Sequence, residues 1–266
     1  MHLQRWISGL ILGPSLILLI VFSPPWLFLL LILFVIFLAL REFYALSLPE
    51  VSPGGKGAGF VLGFLLALSL YSREPRCFLF TIVLALFFLS IRALFQREEF
   101  PERVEKVSKQ LLGFFYLPLL LGHFVLMRNL EKGRWWVLFT LVAVYFGDTL
   151  AFYVGRAWGK RKMAPQISPG KTVEGGLGAV AGSMAGAWVS KLVFFPSIPL
   201  PHALILGAAV GVIGQLGDLW ESLLKRSAKV KDSGVLIPGH GGLLDRIDSV
   251  LFAAPLVYYY AWGMGL

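Results

Sequence analysis

Residues 26–41 read WLFLLLILFVIFLALR, an apolar run whose only charged residue is Arg41 at its end. A transmembrane helix needs about 20 predominantly apolar residues to cross the hydrocarbon core of a bilayer. Eight further stretches of similar character lie on either side of this run. They cover about 6–22, 58–71, 77–95, 110–127, 135–153, 175–195, 202–224 and 249–266. The sequence therefore predicts an all-α, polytopic integral membrane protein with about nine transmembrane helices.

The composition of the whole chain supports the same class. Hydrophobic residues make up 57% of the 266 residues and charged residues only 15%, whereas roughly 25% are charged in an average soluble domain. A soluble protein of this composition could not cover its surface with polar groups, so an ordinary cytosolic enzyme is excluded. Cys77 is the one cysteine in the sequence, which excludes an intrachain disulfide.

The basic residues predict how the helices are oriented. The net charge is +9, with 24 Lys and Arg. If the N-terminus is cytoplasmic and nine helices cross, 18 of these residues lie on the cytoplasmic side and 6 on the other. That distribution follows the positive-inside rule. In such a protein the excess positive charge indicates topology and contact with anionic lipid, and we expect no nucleic-acid partner. The inner (plasma) membrane of a bacterium is the expected location.

The polar loops suggest a division into two regions. Residues 1–134 contain about five predicted spans joined by plain loops. Residues 135–266 contain about four spans and two cytoplasmic loops that carry acidic residues, glycines and hydroxyls as well as positive charge. We therefore expect the chemistry in the second region, and these two loops are the predicted active-site loops.

The later of the two loops combines carboxylates with glycines. Asp218, Glu221 and Lys225 stand at positions i, i+3 and i+7, so one face of a predicted helix presents them together. Asp245 and Asp248 are three residues apart and share a face of the next helix. Two such carboxylate groups joined by a glycine-rich loop favour Mg²⁺, which prefers oxygen ligands. The glycines allow the backbone to approach a phosphate, and the following helix N-terminus favours an anion.

The earlier loop combines a buried acid with basic and hydroxyl residues. Asp148 lies within an apolar helix, where a carboxylate is costly and indicates a functional site. Downstream, Ser168, Lys171 and Thr172 form a loop suited to a polyphosphate. The pair Lys171-Thr172 is not a P-loop, because the upstream glycine spacing and the strand are missing. A basic loop that only holds anionic lipid is the alternative, and Lys162 is interpreted as such a surface charge.

These motifs resemble those of the phosphatidate cytidylyltransferases, also called CDP-diglyceride synthases. The matching residues of the later loop are Ser222, Lys225-Arg226, Lys231-Asp232, His240-Gly241-Gly242 and Asp245-Arg246-Ile247-Asp248. The elements Gly147-Asp148-Thr149 and Ser168-Pro169-Gly170-Lys171-Thr172-Val173-Glu174-Gly175 also resemble this family. The resemblance is close over about 145–248, while the earlier spans match only in number and hydrophobicity.

The resemblance implies the reaction CTP + phosphatidate → CDP-diacylglycerol + pyrophosphate at the cytoplasmic face of the membrane. It also implies a requirement for Mg²⁺, with room for a second cation, and a homodimer. The expected metal ligands are Asp218, Asp245, Asp248 and Asp148, and the first three are also expected catalytic residues together with Lys225. The expected substrate-binding residues are Ser168, Lys171, Thr172, Arg226, Lys231, Asp232, His240, Gly241, Gly242 and Arg246. The individual roles of Lys231, Asp232 and His240 stay open.

The chemistry of this reaction fits a site without a nucleophilic triad. The attacking phosphate oxygen is already ionised, so catalysis depends on positioning and on neutralising charge. Two other functions use similar residues: a CTP-dependent lipid kinase, and an ion or phosphate transporter with Asp148 and Asp218 on an ion path. The clustering of charge on one side and the lack of internal repeats argue against the transporter.

Overall fold

The computed structural model describes residues 13–51, 53–234, 236 and 241–265, which fold almost entirely into helices. The helices are α1 (Gly13–Phe22), α2 (Pro25–Ser47), α3 (Pro53–Ser72), α4 (Pro75–Leu94), α5 (Phe100–Phe114), α6 (Leu120–Arg128), α7 (Gly133–Trp158), α8 (Val173–Val193), α9 (Leu200–Ser227) and α10 (Leu244–Gly263). A π-helical turn, Phe115–Leu119, joins α5 to α6. The strands β1 (Lys162–Ala164) and β2 (Ser168–Thr172) lie between α7 and α8.

Six of the described helical segments are long and apolar enough to cross a membrane. They are Pro25–Ser47, Gly54–Ser72, Pro75–Leu94, Phe100–Arg128, Gly133–Trp158 and Leu200–Ser227. Each coincides with one of the predicted spans, which confirms an all-α polytopic membrane protein. Two more predicted spans, 175–195 and 249–266, correspond to α8 and α10, which are less apolar. The first predicted span, 6–22, is described only from residue 13.

The described residues divide into two compact units. The N-terminal unit is Pro24–Leu126, and the site unit comprises residues 13–23 and 127–265. The core of the N-terminal unit includes Leu62 and Leu66 of α3, Leu89 of α4 and Phe114 of α5. These side chains are large and almost fully buried, so bulky apolar groups fill the space between the helices of this unit.

The site unit is packed differently, through small residues. Helix α8 packs against both α7 and α9, and α9 packs against α10. Gly178, Gly182 and Gly186 of α8 repeat every four residues and face α7. A Cβ atom at Gly182 would lie 2.5 Å from the carbonyl oxygen of Phe146. Small residues at this spacing let membrane helices approach closely, so the backbones of α7 and α8 are in near contact.

The predicted earlier loop folds into a β-hairpin. Strands β1 and β2 are antiparallel, and Lys162 pairs with Thr172. The Thr172 hydroxyl accepts a hydrogen bond from the Gly175 N–H at 3.1 Å and caps the N-terminus of α8. The Glu174 carboxylate accepts hydrogen bonds from the backbone N–H groups of Lys160 at 3.0 Å and Arg161 at 3.2 Å. These contacts hold the start of the hairpin to the start of α8.

Candidate active site

One cavity of the site unit collects most of the predicted site residues. Its volume is about 720 Å³, and it lies among the C-terminal half of α7, the strand β2, and the helices α9 and α10. Its charged lining residues are Asp148, Arg156, Lys171, Asp218, Asp245, Arg246 and Asp248. Ser168, Gly170, Thr172 and Gln215 line it as well. The cavity therefore places carboxylates and cations from separate parts of the chain around one space.

Two of the carboxylates are positioned by the glycines that precede them. Gly147 faces α8, where an added Cβ would lie 3.1 Å from the carbonyl oxygen of Ala179. Gly217 faces α10, and a Cβ there would lie 2.5 Å from the carbonyl oxygen of Asp248. Both helix crossings are tight at these glycines. Asp148 and Asp218 therefore lie next to a close helix contact and line the cavity. Each Gly-Asp pair thus fixes where its carboxylate enters the cavity.

Ser249 connects two of the predicted metal ligands. Its hydroxyl donates a hydrogen bond to Asp148 Oδ1 at 3.3 Å, and its backbone N–H donates to Asp248 Oδ1 at 2.6 Å. The side chain of Ser249 is buried. A carboxylate from α7 and one from α10 are therefore held by the same residue.

Lys171 reaches the cavity from the hairpin. Its Nζ lies 2.6 Å from Asp218 Oδ2 and 3.5 Å from the carbonyl oxygen of Gln215. The hairpin therefore folds back onto α9, as a phosphate-binding role for Lys171 requires. The pair is only partly buried, since 16% of the lysine side chain and 29% of the aspartate side chain remain exposed. An incoming anion can reach this lysine from the cavity.

Asp245 has most of its hydrogen-bonding capacity occupied by the protein. Its Oδ1 lies 2.6 Å from Lys225 Nζ. Its Oδ2 accepts hydrogen bonds from the backbone N–H and the hydroxyl of Ser233, both at 3.0 Å, and from the Gly242 N–H at 3.1 Å. Gly241, just before, has a φ of +86°, a conformation that glycine adopts easily. Asp245 thus ties Ser233 and Gly242 to the N-terminus of α10.

Lys225 is also occupied, on two sides. Its Nζ lies 2.5 Å from Glu221 Oε2, in addition to its contact with Asp245. The Glu221 side chain is only 1% exposed, so this cation lies between a buried carboxylate and the carboxylate that holds the loop. Lys225 does not line the cavity. The sequence predicted that Lys225 is a catalytic residue. In the structure its Nζ is bonded to two carboxylates of the protein.

Five described residues of the predicted substrate-binding set do not line the cavity. Arg226 donates hydrogen bonds to the carbonyl oxygens of Ile167 at 3.2 Å and Val230 at 3.1 Å. Lys231 and Asp232 are exposed. Neither they nor Gly241 and Gly242 line the cavity. His240 lies outside the described residues, so its predicted role stays a prediction.

The structure adds residues that the motifs did not single out. Arg156 and Gln215 line the cavity, and Ser249 bridges two carboxylates. A helical projection would have placed Arg156 on the face of α7 that also carries Asp148 and Phe152, at steps close to whole turns. No sequence signal pointed to Ser249, because its role depends on α7 and α10 being neighbours.

The carboxylates suit a magnesium ion in their chemistry. Within the described ranges, no group of three or more His, Cys, Asp or Glu side chains is placed to hold a metal ion. Mg²⁺ is commonly held by one or two carboxylates, with waters and substrate phosphates as its other ligands. Asp148, Asp218 and Asp248 offer oxygens to one cavity that also has room for phosphates. The donor set therefore fits Mg²⁺ that binds together with a substrate.

Comparisons with known proteins show the family of the chain. The model of a family described as the cytidylyltransferase family matches residues 3–263. The chain is 36% identical over 296 residues to a phosphatidate cytidylyltransferase of Synechocystis sp., covering 98% of the chain and 96% of that relative. It is 31% identical to one of Aquifex aeolicus, covering 96% and 90%.

A third relative matches over a shorter region. The chain is 42% identical over 149 residues to a phosphatidate cytidylyltransferase of Bacillus subtilis. That match covers 56% of the chain and 55% of the relative, so the chain spans about half of that protein's length. The two longer matches extend over both units of the fold.

Proposed function

Because the chain belongs to the cytidylyltransferase family, we propose that it is a phosphatidate cytidylyltransferase. It transfers CMP from CTP to phosphatidate and releases pyrophosphate. The single observation that carries this proposal is the cavity in which Asp148, Asp218 and Asp248 face Lys171 and other cations. A site of this kind neutralises phosphates from several directions. The reaction needs no protein nucleophile, because the attacking oxygen belongs to phosphatidate.

The chemical step follows from that arrangement. An oxygen of the phosphatidate phosphate attacks the α-phosphorus of CTP, and a new P–O bond forms. The bond between the α-phosphorus and the bridging oxygen to the β-phosphate breaks, and pyrophosphate leaves with its electron pair. Lys171 would contact a phosphate of CTP, since its Nζ borders the cavity while paired with Asp218. Charge neutralisation and alignment supply the catalysis.

Mg²⁺ is the proposed cofactor. Asp148, Asp218 and Asp248 are its candidate ligands; one or two of them would bind the ion together with phosphate oxygens and water, and a second cation would bind the carboxylate that remains. When bound, the ion neutralises phosphate charge and orients the leaving group. Asp245 is the predicted ligand with the least free capacity, because Lys225, Ser233 and Gly242 already occupy its oxygens. We assign Asp245 the role of holding Ser233 and Gly242, and Lys225 the role of holding Asp245.

Nine crossings would place the site on the cytoplasmic side of the bacterial inner membrane. Helices α8 and α10, of 21 and 20 residues, are long enough to add two crossings to the six described spans. The predicted span 6–22 would be the ninth. Thiol labelling tests this topology. In a Cys77→Ser background, Gly170→Cys adds a side chain where no atom lies within 4 Å. Labelling only after cell disruption is expected, whereas labelling of intact cells by an impermeant reagent would contradict a cytoplasmic site.

A homodimer is expected from the resemblance, and chemical cross-linking in native membranes would test it.

Product analysis tests the function itself. Purified protein receives phosphatidate, Mg²⁺ and CTP labelled in the α-phosphate. The label is expected in a lipid, CDP-diacylglycerol, with one pyrophosphate released per turnover. A lipid kinase would leave the label in CDP, and a transporter would leave CTP unchanged. Asp218→Asn is the matched control for contaminating activity.

A further inference from the structure

Arg156 lies on the cavity near the C-terminal end of α7. We propose that Arg156 binds the phosphate group of the lipid substrate and is the residue that selects a phosphomonoester lipid. This inference rests on the proposed function, because it assigns one substrate to one part of the same cavity. Arg156 belongs to the last turn of α7, which ends at Trp158.

The other cations in and beside the cavity have partners within the protein. Lys171 is paired with Asp218, and Lys225 is paired with Glu221 and Asp245. Arg246 also has interactions within the protein. Among the residues that the structure describes, no ion pair or side-chain hydrogen bond involves Arg156, although it lines the cavity. Its guanidinium therefore needs no exchange of partners to receive an anion.

Arg156 lies one helical turn beyond an exposed aromatic residue of α7. Phe152, one turn earlier, also lines the cavity and is 59% exposed. Tyr153 and Trp158 of the same helix are exposed too. Trp and Tyr concentrate at the depth where hydrocarbon meets the headgroups. Phe152 therefore lies both on the cavity and on the exposed surface of α7, and we place Arg156 at headgroup depth, one turn beyond Phe152.

Phosphatidate and CTP differ in how they can reach Arg156. Phosphatidate carries its phosphomonoester at headgroup depth, because its acyl chains must stay in the hydrocarbon. The planar guanidinium of Arg can bind two phosphate oxygens at once. A terminal phosphate has one more unesterified oxygen and more negative charge than the diester of most phospholipids, so the guanidinium favours the terminal phosphate. Acyl chains beside Phe152 would bring that phosphate to Arg156. CTP has no such anchor and would use the deeper cation, Lys171.

Mixed-micelle kinetics test the assignment. Initial rates of Arg156→Ala are measured while the mole fraction of phosphatidate is varied at saturating CTP, and then while CTP is varied at saturating phosphatidate. The apparent KM for phosphatidate should rise about tenfold or more, which corresponds to about 1.4 kcal/mol. The KM for CTP and kcat should stay within about twofold. Arg156→Lys should recover part of the loss, since it restores charge without the planar fork.

Arg161→Ala is the matched control. Arg161 is an exposed arginine five positions on in the same region and does not line the cavity. Equal small effects of the two alanine variants would overturn the proposal, and so would a rise in the KM for CTP or a fall in kcat alone. Arg156→Gln, compared with the wild type by thermal unfolding in detergent, separates a binding defect from misfolding.

A binding measurement keeps this inference distinct from the proposed function. Short-chain phosphatidate is titrated into the purified protein while tryptophan fluorescence is recorded, because Trp158 lies two residues from Arg156. If the wild type binds phosphatidate and Arg156→Ala does not, the inference stands even when no CDP-lipid forms. Equal binding by both proteins would refute the inference while leaving the cytidylyltransferase reaction intact.

Discussion

Helices α2 and α8 are both apolar and nearly equal in length, at 23 and 21 residues, yet they pack in opposite ways. The buried residues of α2 are mostly large, such as Phe28, Ile36 and Phe43. Those of α8 are glycine, alanine and serine throughout. Both sequences favour the membrane, but only small residues bring helix backbones into contact. Side-chain size therefore decides which unit can position polar groups accurately.

The two units also differ in how they treat carboxylates. In the N-terminal unit, Glu42 is a buried acid far from the cavity in sequence. In the site unit, Asp148 and Asp218 each follow a glycine at a tight helix crossing, and both line the cavity. Burial of an acid is common to both units, whereas Asp148 and Asp218 also lie at tight helix crossings and face a cavity.

The largest expected effect comes from breaking the glycine packing. Gly182→Leu would drive a side chain against the Phe146 carbonyl of α7, a backbone contact that no rotamer relieves. Overpacking costs about 1–3 kcal/mol or more, so Tm should fall by roughly 5 °C or more and turnover should be lost. Gly57→Leu in α3 is the control, since nothing lies within 4 Å of its added Cβ. Thermal unfolding in detergent measures both, and equal shifts would remove the contrast between the units.

Removing a carboxylate from the cavity should be the next largest effect. Asp218→Asn takes away a proposed Mg²⁺ ligand and the partner of Lys171. We expect kcat to fall more than about a hundredfold, or about 2.7 kcal/mol of barrier, with Tm little changed. Glu42→Gln, the buried acid of the other unit, should leave kcat within about twofold. A loss below about tenfold in Asp218→Asn, with unchanged Mg²⁺ dependence, would contradict its assignment.

Lys171→Ala should have a smaller effect on turnover, confined to the nucleotide. Loss of a charge-assisted contact costs about 1.5–3 kcal/mol, so kcat/KM for CTP should fall about tenfold to a hundredfold. Lys162→Ala, on the outer strand of the same hairpin, is exposed and should change it by less than about twofold. Steady-state rates at several CTP and phosphatidate concentrations distinguish the cases. If added anionic lipid rescued both variants equally, Lys171 would be only a surface charge.

The smallest expected effect comes from removing the Glu174 carboxylate, which bonds the start of the hairpin to the start of α8. Glu174→Ala removes the acceptor for the N–H groups of Lys160 and Arg161. Because each hydrogen bond contributes about 1 kcal/mol net, we expect the KM for CTP to rise about fivefold and trypsin to cut the hairpin faster. Glu99→Ala tests an exposed acid of the N-terminal unit and should change neither. Unchanged proteolysis in Glu174→Ala would show that β-pairing alone holds the hairpin.

Much of the architecture was predictable from the chain. Apolar runs such as residues 26–41 gave the helical membrane class, since hydrocarbon accepts only segments that satisfy their own backbone hydrogen bonds. Asp148 and Asp218 were recognisable because carboxylates within or beside apolar helices are costly, and Lys171 was recognisable because it stands in a loop of basic and hydroxyl residues. The hairpin between Lys162 and Thr172 was not predicted. Its short strands carry glycine and proline and no alternating apolar pattern, so nothing local favours a strand over a loop.

The sequence by itself determined the membrane class, the family resemblance and the set of charged residues from which a site could be built. The tertiary structure decided which of those charges face a substrate. Lys225 and Arg226 stand in the strongest motif yet bind protein groups, whereas Arg156 stands in none and faces the cavity. A motif records residue type and spacing along one segment. Whether a cation is free depends on partners from other helices, and the close crossings of α7, α8, α9 and α10 supply or withhold those partners.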